Sequence, residues 1–183
     1  GQTFLASMYF QGKGVAQDYK KAAEWYEKAA KQGDVVAQTC LAGMYCEGEG
    51  VVQSYEKTVE WSTKAAKQGD AVAQTCLAGM YLQGKGVAQD YKKAAEWSTK
   101  AVEQGDADAQ VILAKMHYNG DGVTKCHEKV VELLTRAAAQ GDAEAKQKLL
   151  DLERERWAAM ALEPLTQKAK QGNPQAQAEL ADR

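Results

Sequence analysis

The sequence lacks a strong net charge of either sign, and it lacks a long apolar run. Its formal charge is −2 over 183 residues, and its isoelectric point is near 5.8. Because no basic field is available to hold phosphates, we expect no nucleic-acid partner. The uncharged run 71–84 is too short for a membrane span and contains glutamine and glycine, so we expect no membrane insertion.

An initiator methionine and a signal peptide are also missing. Residues 1–5 align with residues 37–41, so the chain begins inside a helix that has no capping aspartate. We interpret the sequence as a piece of a longer protein, and its first residue does not indicate a cellular compartment.

A period of 36 residues runs through the chain. Two motifs recur at this spacing: Gln-Gly-Asp, with glycines at Gly33, Gly69, Gly105 and Gly141, and Gly-x-Gly-Val, which begins at Gly12, Gly48, Gly84 and Gly120. Periods of about 20 to 50 residues are typical of solenoids, in which each unit buries its apolar face against its neighbours. We therefore predict one repeat array over 1–183, divided into a truncated unit at 1–33, regular units at 34–69, 70–105 and 106–141, an irregular unit at 142–172, and the start of a further or capping helix at 173–183.

Each unit carries two helical patterns. In the third unit, apolar residues follow helical spacing over 73–81 and again over 91–102. Asp70 and Asp90 stand where an N-cap acceptor would satisfy the first free N–H groups. Gly105 can adopt the left-handed conformation that ends a helix. Each unit is therefore predicted to be a helical hairpin.

The repeated pattern is A-x-x-x-L-A-x-M-Y-x-x-G-x-G-V-x-x-D-Y-x-K-A-x-E-W-x-x-K-A-A-x-Q-G-D. It resembles the Sel-1-like repeat (SLR), a branch of the tetratricopeptide (TPR) superfamily, tightly over residues 1–105, more loosely to 141 and partially beyond. The resemblance implies an all-α, right-handed α-solenoid of stacked antiparallel helix pairs, with about eleven helices in this chain. It also implies an adaptor or scaffold, in bacteria often one for host interaction or envelope signalling.

Other proteins of similar sequence are secreted and have a disulfide in each repeat, a pattern from which this chain departs. Cys40 and Cys76 occupy the same position in adjacent units, where helices packed about 8–10 Å apart hold the backbones too far apart for a bridge. Cys46 lies six residues after Cys40 and faces another way, and Cys126 replaces a capping aspartate. Four free thiols favour a reducing, cytoplasmic compartment, while a periplasmic or secreted location remains an alternative.

The fifth unit departs from the pattern. No Gly-x-Gly-Val follows Leu149; the apolar stripe continues instead, and Pro164 predicts a break. We therefore expect a longer first helix paired with a short second one. Asn173 and Pro174 predict the start of another helix at 175–181.

Two groupings resemble catalytic or metal sites. Ser54 and Lys57 have the Ser-x-x-Lys spacing of penicillin-interacting enzymes, an activity to which some relatives of the repeat family have been linked. Other units repeat these positions as a capping residue and a lysine, and no Lys-Thr-Gly follows. His117, Cys126 and His127, together with Asp121, could assemble a metal site, but both histidines stand where other units have tyrosine. We therefore predict no catalytic residue, no metal and no cofactor.

The first helices of such a solenoid line its concave side, and one stripe of them varies between units. The partner-binding residues predicted from this stripe are Phe10, Gly43, Cys46, Glu47, Gly79, Leu82, Gln83, Lys115, Tyr118 and Asn119. Its apolar members form a ladder, and its glycines leave room for an incoming backbone or helix. The alternative is that the ladder belongs to the core between units.

The predicted function is a non-enzymatic adaptor or scaffold that binds a protein or peptide partner in its concave groove. A dedicated inhibitor or immunity-type protein for one toxin or enzyme is an alternative with the same physical basis. A cell-wall-directed hydrolase or penicillin-binding activity is the alternative of another class, but no nucleophile and base fall outside positions that the repeat explains. End-to-end self-association through the open ends of the array is a further alternative.

Overall fold

Nine α-helices and no strand make up the part of the chain that the structure describes. The structure is a computed structural model, and it describes residues 1–175 and 181, with residues 157–161, 164, 165 and 168 described by their backbone alone. The helices are α1 (Gln2–Gln11), α2 (Tyr19–Lys31), α3 (Val35–Glu47), α4 (Tyr55–Lys67), α5 (Ala71–Gln83), α6 (Tyr91–Glu103), α7 (Ala107–Asn119), α8 (His127–Ala139) and α9 (Ala143–Lys170). None of them is long and apolar enough to cross a membrane.

Aspartate caps begin the helices of the third unit, as the sequence predicted. The Asp70 carboxylate accepts a hydrogen bond from the Ala73 N–H at 2.7 Å, and Asp90 accepts one from the Lys93 N–H at 3.0 Å. These bonds satisfy N–H groups that have no partner inside the helix. Gly105 has a φ of 87°, which confirms the predicted left-handed turn after the second helix.

The helices stack as antiparallel pairs in two layers. We call α1, α3, α5, α7 and α9 the first helices, and α2, α4, α6 and α8 the second helices. Each helix packs against the next one in the chain, and α3, α5 and α7 also contact one another in succession. The core between the layers consists mainly of alanines, with larger side chains such as Leu41, Leu77 and Met116 at most 1% exposed. Small side chains let the helix backbones approach closely, so each pair is buried by the next.

Neighbouring pairs also meet through their backbones, at the Gly-x-Gly loops. Gly86 has a φ of 68° and lies against the peptide that joins Tyr55 to Glu56, at the start of α4 in the preceding pair. A Cβ atom at Gly86 would overlap these backbone atoms, so only glycine fits. Equivalent contacts join Gly50 to Tyr19 and Gly122 to Tyr91.

The prediction of about eleven helices is wrong in the fifth unit. Pro164 was expected to end the first helix there, but α9 continues through it as one helix of 28 residues. A proline removes one backbone hydrogen bond and costs about 3 kcal/mol inside a helix. The flanking sequence is rich in Ala, Leu, Glu, Lys, Gln and Arg, which are strong helix formers, and it lacks the Gly-x-Gly loop that reverses the other units. One continuous helix is therefore more stable here than two helices with a break at Pro164.

The predicted helix at 175–181 falls mostly outside the described residues. Pro174 and Gln175 are helical, and the Asn173 side chain accepts a hydrogen bond from the Gln175 N–H at 3.0 Å, as expected of a cap.

Candidate functional site

The first helices border three grooves. The N-terminal groove lies between α1 and α3, the middle groove lies between α5, α7 and the start of α9, and the C-terminal groove lies between α7, α8 and α9. Their volumes are about 440, 220 and 300 Å³ respectively. Each has room for large side chains of a binding partner.

The N-terminal groove has an apolar floor and an acidic end. Phe10 packs edge-on against Tyr19, with 5.2 Å between the ring centroids, and Tyr26 on the floor is 4% exposed. Burial raises the pKa of the Tyr26 hydroxyl above its ordinary value, so the floor stays uncharged. Among the residues that line this groove, Glu47 and Glu49 alone carry charge. The lining residues are Thr3, Ser7, Phe10, Gln11, Tyr26, Val36, Cys40, Gly43, Met44, Glu47 and Glu49.

The middle groove carries charges of both signs. Lys148 forms an ion pair with Glu144 at 2.6 Å. Partial burial raises the pKa of Asp108, and the carboxylates of Asp106, Asp142 and Glu144 raise it further. The lining residues are Gly79, Leu82, Gln83, Asp108, Val111, Ile112, Lys115, Asp142, Glu144 and Lys148.

The C-terminal groove exists because α9 packs beside the fourth helix pair. Leu134 is 2% exposed on its α8 side, and Tyr118 is 51% exposed at its rim. The lining residues are Ala114, Lys115, Tyr118, Asn119, Val130, Leu134, Lys148, Asp151, Leu152 and Glu155. Its charges, like those of the middle groove, are mixed.

In the first three helix pairs, lysines lie on the second helices and not on the first helices. α1, α3 and α5 contain no lysine and no arginine. The second helices α2, α4 and α6 carry several lysines each. Three of them lie over tryptophan rings, with ammonium-to-centroid distances of 4.2 Å for Lys28 and Trp25, 3.9 Å for Lys64 and Trp61, and 4.3 Å for Lys100 and Trp97.

The structure distributes the predicted partner-binding residues over the three grooves. Phe10, Gly43 and Glu47 line the N-terminal groove; Gly79, Leu82 and Gln83 line the middle groove; Tyr118 and Asn119 line the C-terminal groove; and Lys115 lines the last two. Cys46 belongs to none of the three, and burial raises the pKa of its half-buried thiol. The predicted ladder is thus divided into separate grooves, and partner binding by these residues stays a prediction.

Sequence reasoning missed a buried glutamine in the first helices. The side-chain amide of Gln74 donates to the Ala66 carbonyl at 3.3 Å and accepts from the Gln104 amide at 2.8 Å. Ala66 lies in the last turn of α4, where carbonyls have no partner inside the helix. Gln38 bonds in the same way to Ala30 and Gln68. The recurrence of glutamine at 38, 74 and 110 is the signal that could have revealed this network.

Threonines of the first helices also join neighbouring units. The Thr3 hydroxyl donates to the Asp34 carboxylate at 2.8 Å, and the Thr75 hydroxyl donates to Asp106 at 3.0 Å. Each acceptor is the N-cap of the next first helix. These threonines therefore hold the stack together.

Gly43 and Gly79 lie inside helices with open space above them. A Cβ atom at either position would meet no atom within 4 Å, and neither residue has a positive φ. We expect Gly43→Ala to stabilise the protein by about 0.5–1 kcal/mol, because alanine loses less backbone conformational entropy than glycine when the helix forms. Thermal unfolding followed by circular dichroism should show a rise of about 2–3 °C. Gly69→Ala is the control: Gly69 has a φ of 97°, so that variant should be less stable, and an equal effect of both substitutions would contradict the argument.

Ser54 and Lys57 each have contacts inside their own unit. The Ser54 hydroxyl accepts from the Lys57 N–H at 3.3 Å and donates to the Glu56 carboxylate at 2.9 Å. The Lys57 ammonium lies 3.3 Å from the Tyr45 hydroxyl and 4.7 Å from the centroid of that ring. Their arrangement is that of an N-cap and a lysine–tyrosine contact.

The histidines and cysteines are not grouped. No three His, Cys, Asp or Glu side chains within the described residues could hold a metal ion together. The His117 Nδ1 atom lies 2.9 Å from the Thr124 carbonyl oxygen, and the Cys126 thiol donates to Glu128 at 3.3 Å. All four cysteines are free, as the sequence predicted.

The family model of the Sel1 repeat matches this chain four times in succession, at residues 1–34, 35–70, 71–106 and 107–142. Solved structures are similar as well. A Sel1 repeat protein from Oxalobacter formigenes is 39% identical with a TM-score of 0.72, over 82% of this chain and 44% of that one. A protective antigen with an SLR fold from uropathogenic Escherichia coli strains is 32% identical with a TM-score of 0.57, over 99% of this chain and 48% of that one.

Cysteine-rich protein B from Helicobacter pylori is also similar, with 27% identity and a TM-score of 0.56, over 72% of this chain and 94% of that one. No curated protein is similar enough in sequence to match the chain. The chain spans less than half the length of the Oxalobacter and Escherichia proteins. The fold is thus an SLR solenoid.

Proposed function

The chain belongs to the Sel1 repeat family, and on that premise we propose that it is a non-enzymatic adaptor that binds a protein or peptide partner in the grooves between its first helices. Proteins of this family typically mediate protein–protein interactions.

The observation that carries the proposal is the pair of helix glycines, Gly43 and Gly79. Each costs about 0.5–1 kcal/mol relative to alanine, although a Cβ atom would fit without any contact. Folding therefore gives no reason for glycine at these two positions. Both line grooves, where the missing side chain leaves space for the backbone or a side chain of a partner.

A second support is that the grooves combine apolar floors with polar rims. In the N-terminal groove, half-buried Phe10 and buried Met44 lie beside Gln11 and Glu47. Apolar anchors in a preformed groove give affinity with little ordering cost, and the polar rim orients the partner.

The test is the double variant Gly43→Leu/Gly79→Leu. Leucine is a better helix former than glycine by about 0.8 kcal/mol, so the variant should unfold at a higher temperature than the parent while its leucines fill two grooves. We expect a partner captured by the immobilised parent, and then purified, to bind the variant at least about tenfold more weakly in isothermal titration calorimetry, a difference of about 1.4 kcal/mol.

The matched control is Thr99→Leu/Thr135→Leu, which adds two leucines to exposed positions of the second helices. That variant should bind the partner as the parent does. If the glycine variant is folded and binds with an unchanged Kd, the partner does not use these grooves and the proposal is wrong.

A further inference from the structure

The N-terminal groove differs from the other two in the sign of its charges. Its charged lining residues, Glu47 and Glu49, are both acidic. Ion pairs within the described part of the chain involve neither of them. The middle and C-terminal grooves, in contrast, each contain Lys115 and Lys148. The residues that line the N-terminal groove therefore carry negative charge alone.

Two further features strengthen the negative potential at this end. α1 ends at Gln11 and α3 ends at Glu47, so the carboxyl ends of both helices border the same end of the groove. The carboxyl end of a helix carries a partial negative charge. In addition, the helices α1, α3 and α5 themselves contain no lysine or arginine.

The apolar part of the groove lies directly beside these carboxylates. Phe10, Tyr26 and Met44 form the floor, and the open space above Gly43 gives access to it. Val36 at the rim is 59% exposed. A ligand that fills the groove must therefore offer a large apolar side chain next to a group of positive charge.

We propose that the N-terminal groove binds a cationic, apolar segment of a partner protein, with a large apolar side chain on the floor and lysine or arginine beside Glu47 and Glu49. This inference rests on the proposed adaptor function and specifies the chemistry of the partner. An anionic segment would meet two unpaired carboxylates and two helix carboxyl ends, so the groove discriminates by charge as well as by shape.

The probes are two fluorescein-labelled peptides of 18 residues with leucine on one helical face. In the first peptide all remaining positions are lysine, and in the second peptide the same positions are glutamate. Fluorescence anisotropy at low salt should show that the lysine peptide binds the parent at least about tenfold more tightly than the glutamate peptide, and that added salt weakens this binding. Gly43→Leu should abolish the binding.

The charge variant is Glu47→Gln/Glu49→Gln, and its matched control is Glu96→Gln/Glu103→Gln on α6, which changes the net charge equally at exposed positions of the second layer. The charge variant should bind the lysine peptide about tenfold more weakly than the parent, and the control variant should change the Kd of this peptide less than twofold. Equal binding of both peptides, equal effects of both variants, or no binding of the lysine peptide would each overturn the inference.

These results are separable from a failure of the adaptor function. Suppose that the captured partner binds the parent, does not bind Gly43→Leu/Gly79→Leu, and binds Glu47→Gln/Glu49→Gln with an unchanged Kd. The grooves then bind a partner, but the inference about the partner's charge is wrong.

Discussion

Gly86→Ala should destabilise the protein by at least about 3 kcal/mol, although it adds only one methyl group. About 1 kcal/mol comes from the positive φ, which alanine rarely adopts. The remainder, about 2 kcal/mol or more, comes from overlap between the new Cβ atom and the peptide joining Tyr55 to Glu56. These are backbone atoms in the first turn of α4, so they cannot move aside as a flexible side chain would. Urea unfolding followed by circular dichroism measures the change in the free energy of unfolding.

Gly14→Ala provides the matched control, because Gly14 is the same loop position in the first unit. Its φ of 75° is similar, but its Cβ atom would approach only the Met8 side-chain methyl, at 3.1 Å. We expect a loss of about 1 kcal/mol from backbone strain alone. If the two substitutions cost the same within about 0.5 kcal/mol, the backbone contact between the loop and the preceding pair does not limit stability.

The contrast between these two glycines shows what the sequence could and could not predict. Caps and helix faces depend on residues a few positions apart, so Asp70, Asp90 and Gly105 were identified correctly from local patterns. The contact of Gly86 joins residues 31 positions apart. The period shows that glycine recurs there, but it does not distinguish a turn requirement from a close approach to another unit.

The candidate site was predictable only in part for a related reason. Spacing along a helix indicates which residues share a face, yet an error of one residue rotates that face by about 100°. Phe10, Leu82 and Tyr118 were predicted to form one ladder, but they line three different grooves, and Phe10 and Leu82 also pack partly buried against the core. The prediction for the fifth unit is wrong because the strong helix formers on both sides of Pro164 keep α9 continuous, although proline alone favours a break.

The glutamine network gives the second large effect. Gln74→Glu should destabilise the protein by about 3 kcal/mol at pH 7, although the side chain keeps its size. Gln74 is 4% exposed, and its amide donor faces the Ala66 carbonyl at 3.3 Å. A carboxylate there would present an oxygen to that carbonyl and would carry its charge in a buried position. Only the hydrogen bond from the Gln104 amide would remain favourable.

The same substitution should become milder as the pH falls. Burial raises the pKa of the introduced carboxyl in the folded state above its value in the unfolded chain, so the folded state binds a proton more readily. The penalty is therefore full above the raised pKa, decreases as the pH falls below it, and is smallest below the unfolded pKa of about 4.3. A protonated carboxyl also regains a donor for Ala66 and keeps an acceptor for Gln104.

Urea unfolding of the parent and the Gln74→Glu variant at pH 7 and pH 4 measures this difference. Subtracting the parent's free energy of unfolding at each pH removes the contributions of all other titrating groups. Gln83→Glu, an exposed position on the same helix, should stay within about 0.5 kcal/mol of the parent at both values. A penalty at Gln74 that does not change with pH would show that the lost amide, and not the buried charge, causes it. Buried amides that each join one pair to the next would then stabilise the array through their hydrogen bonds alone.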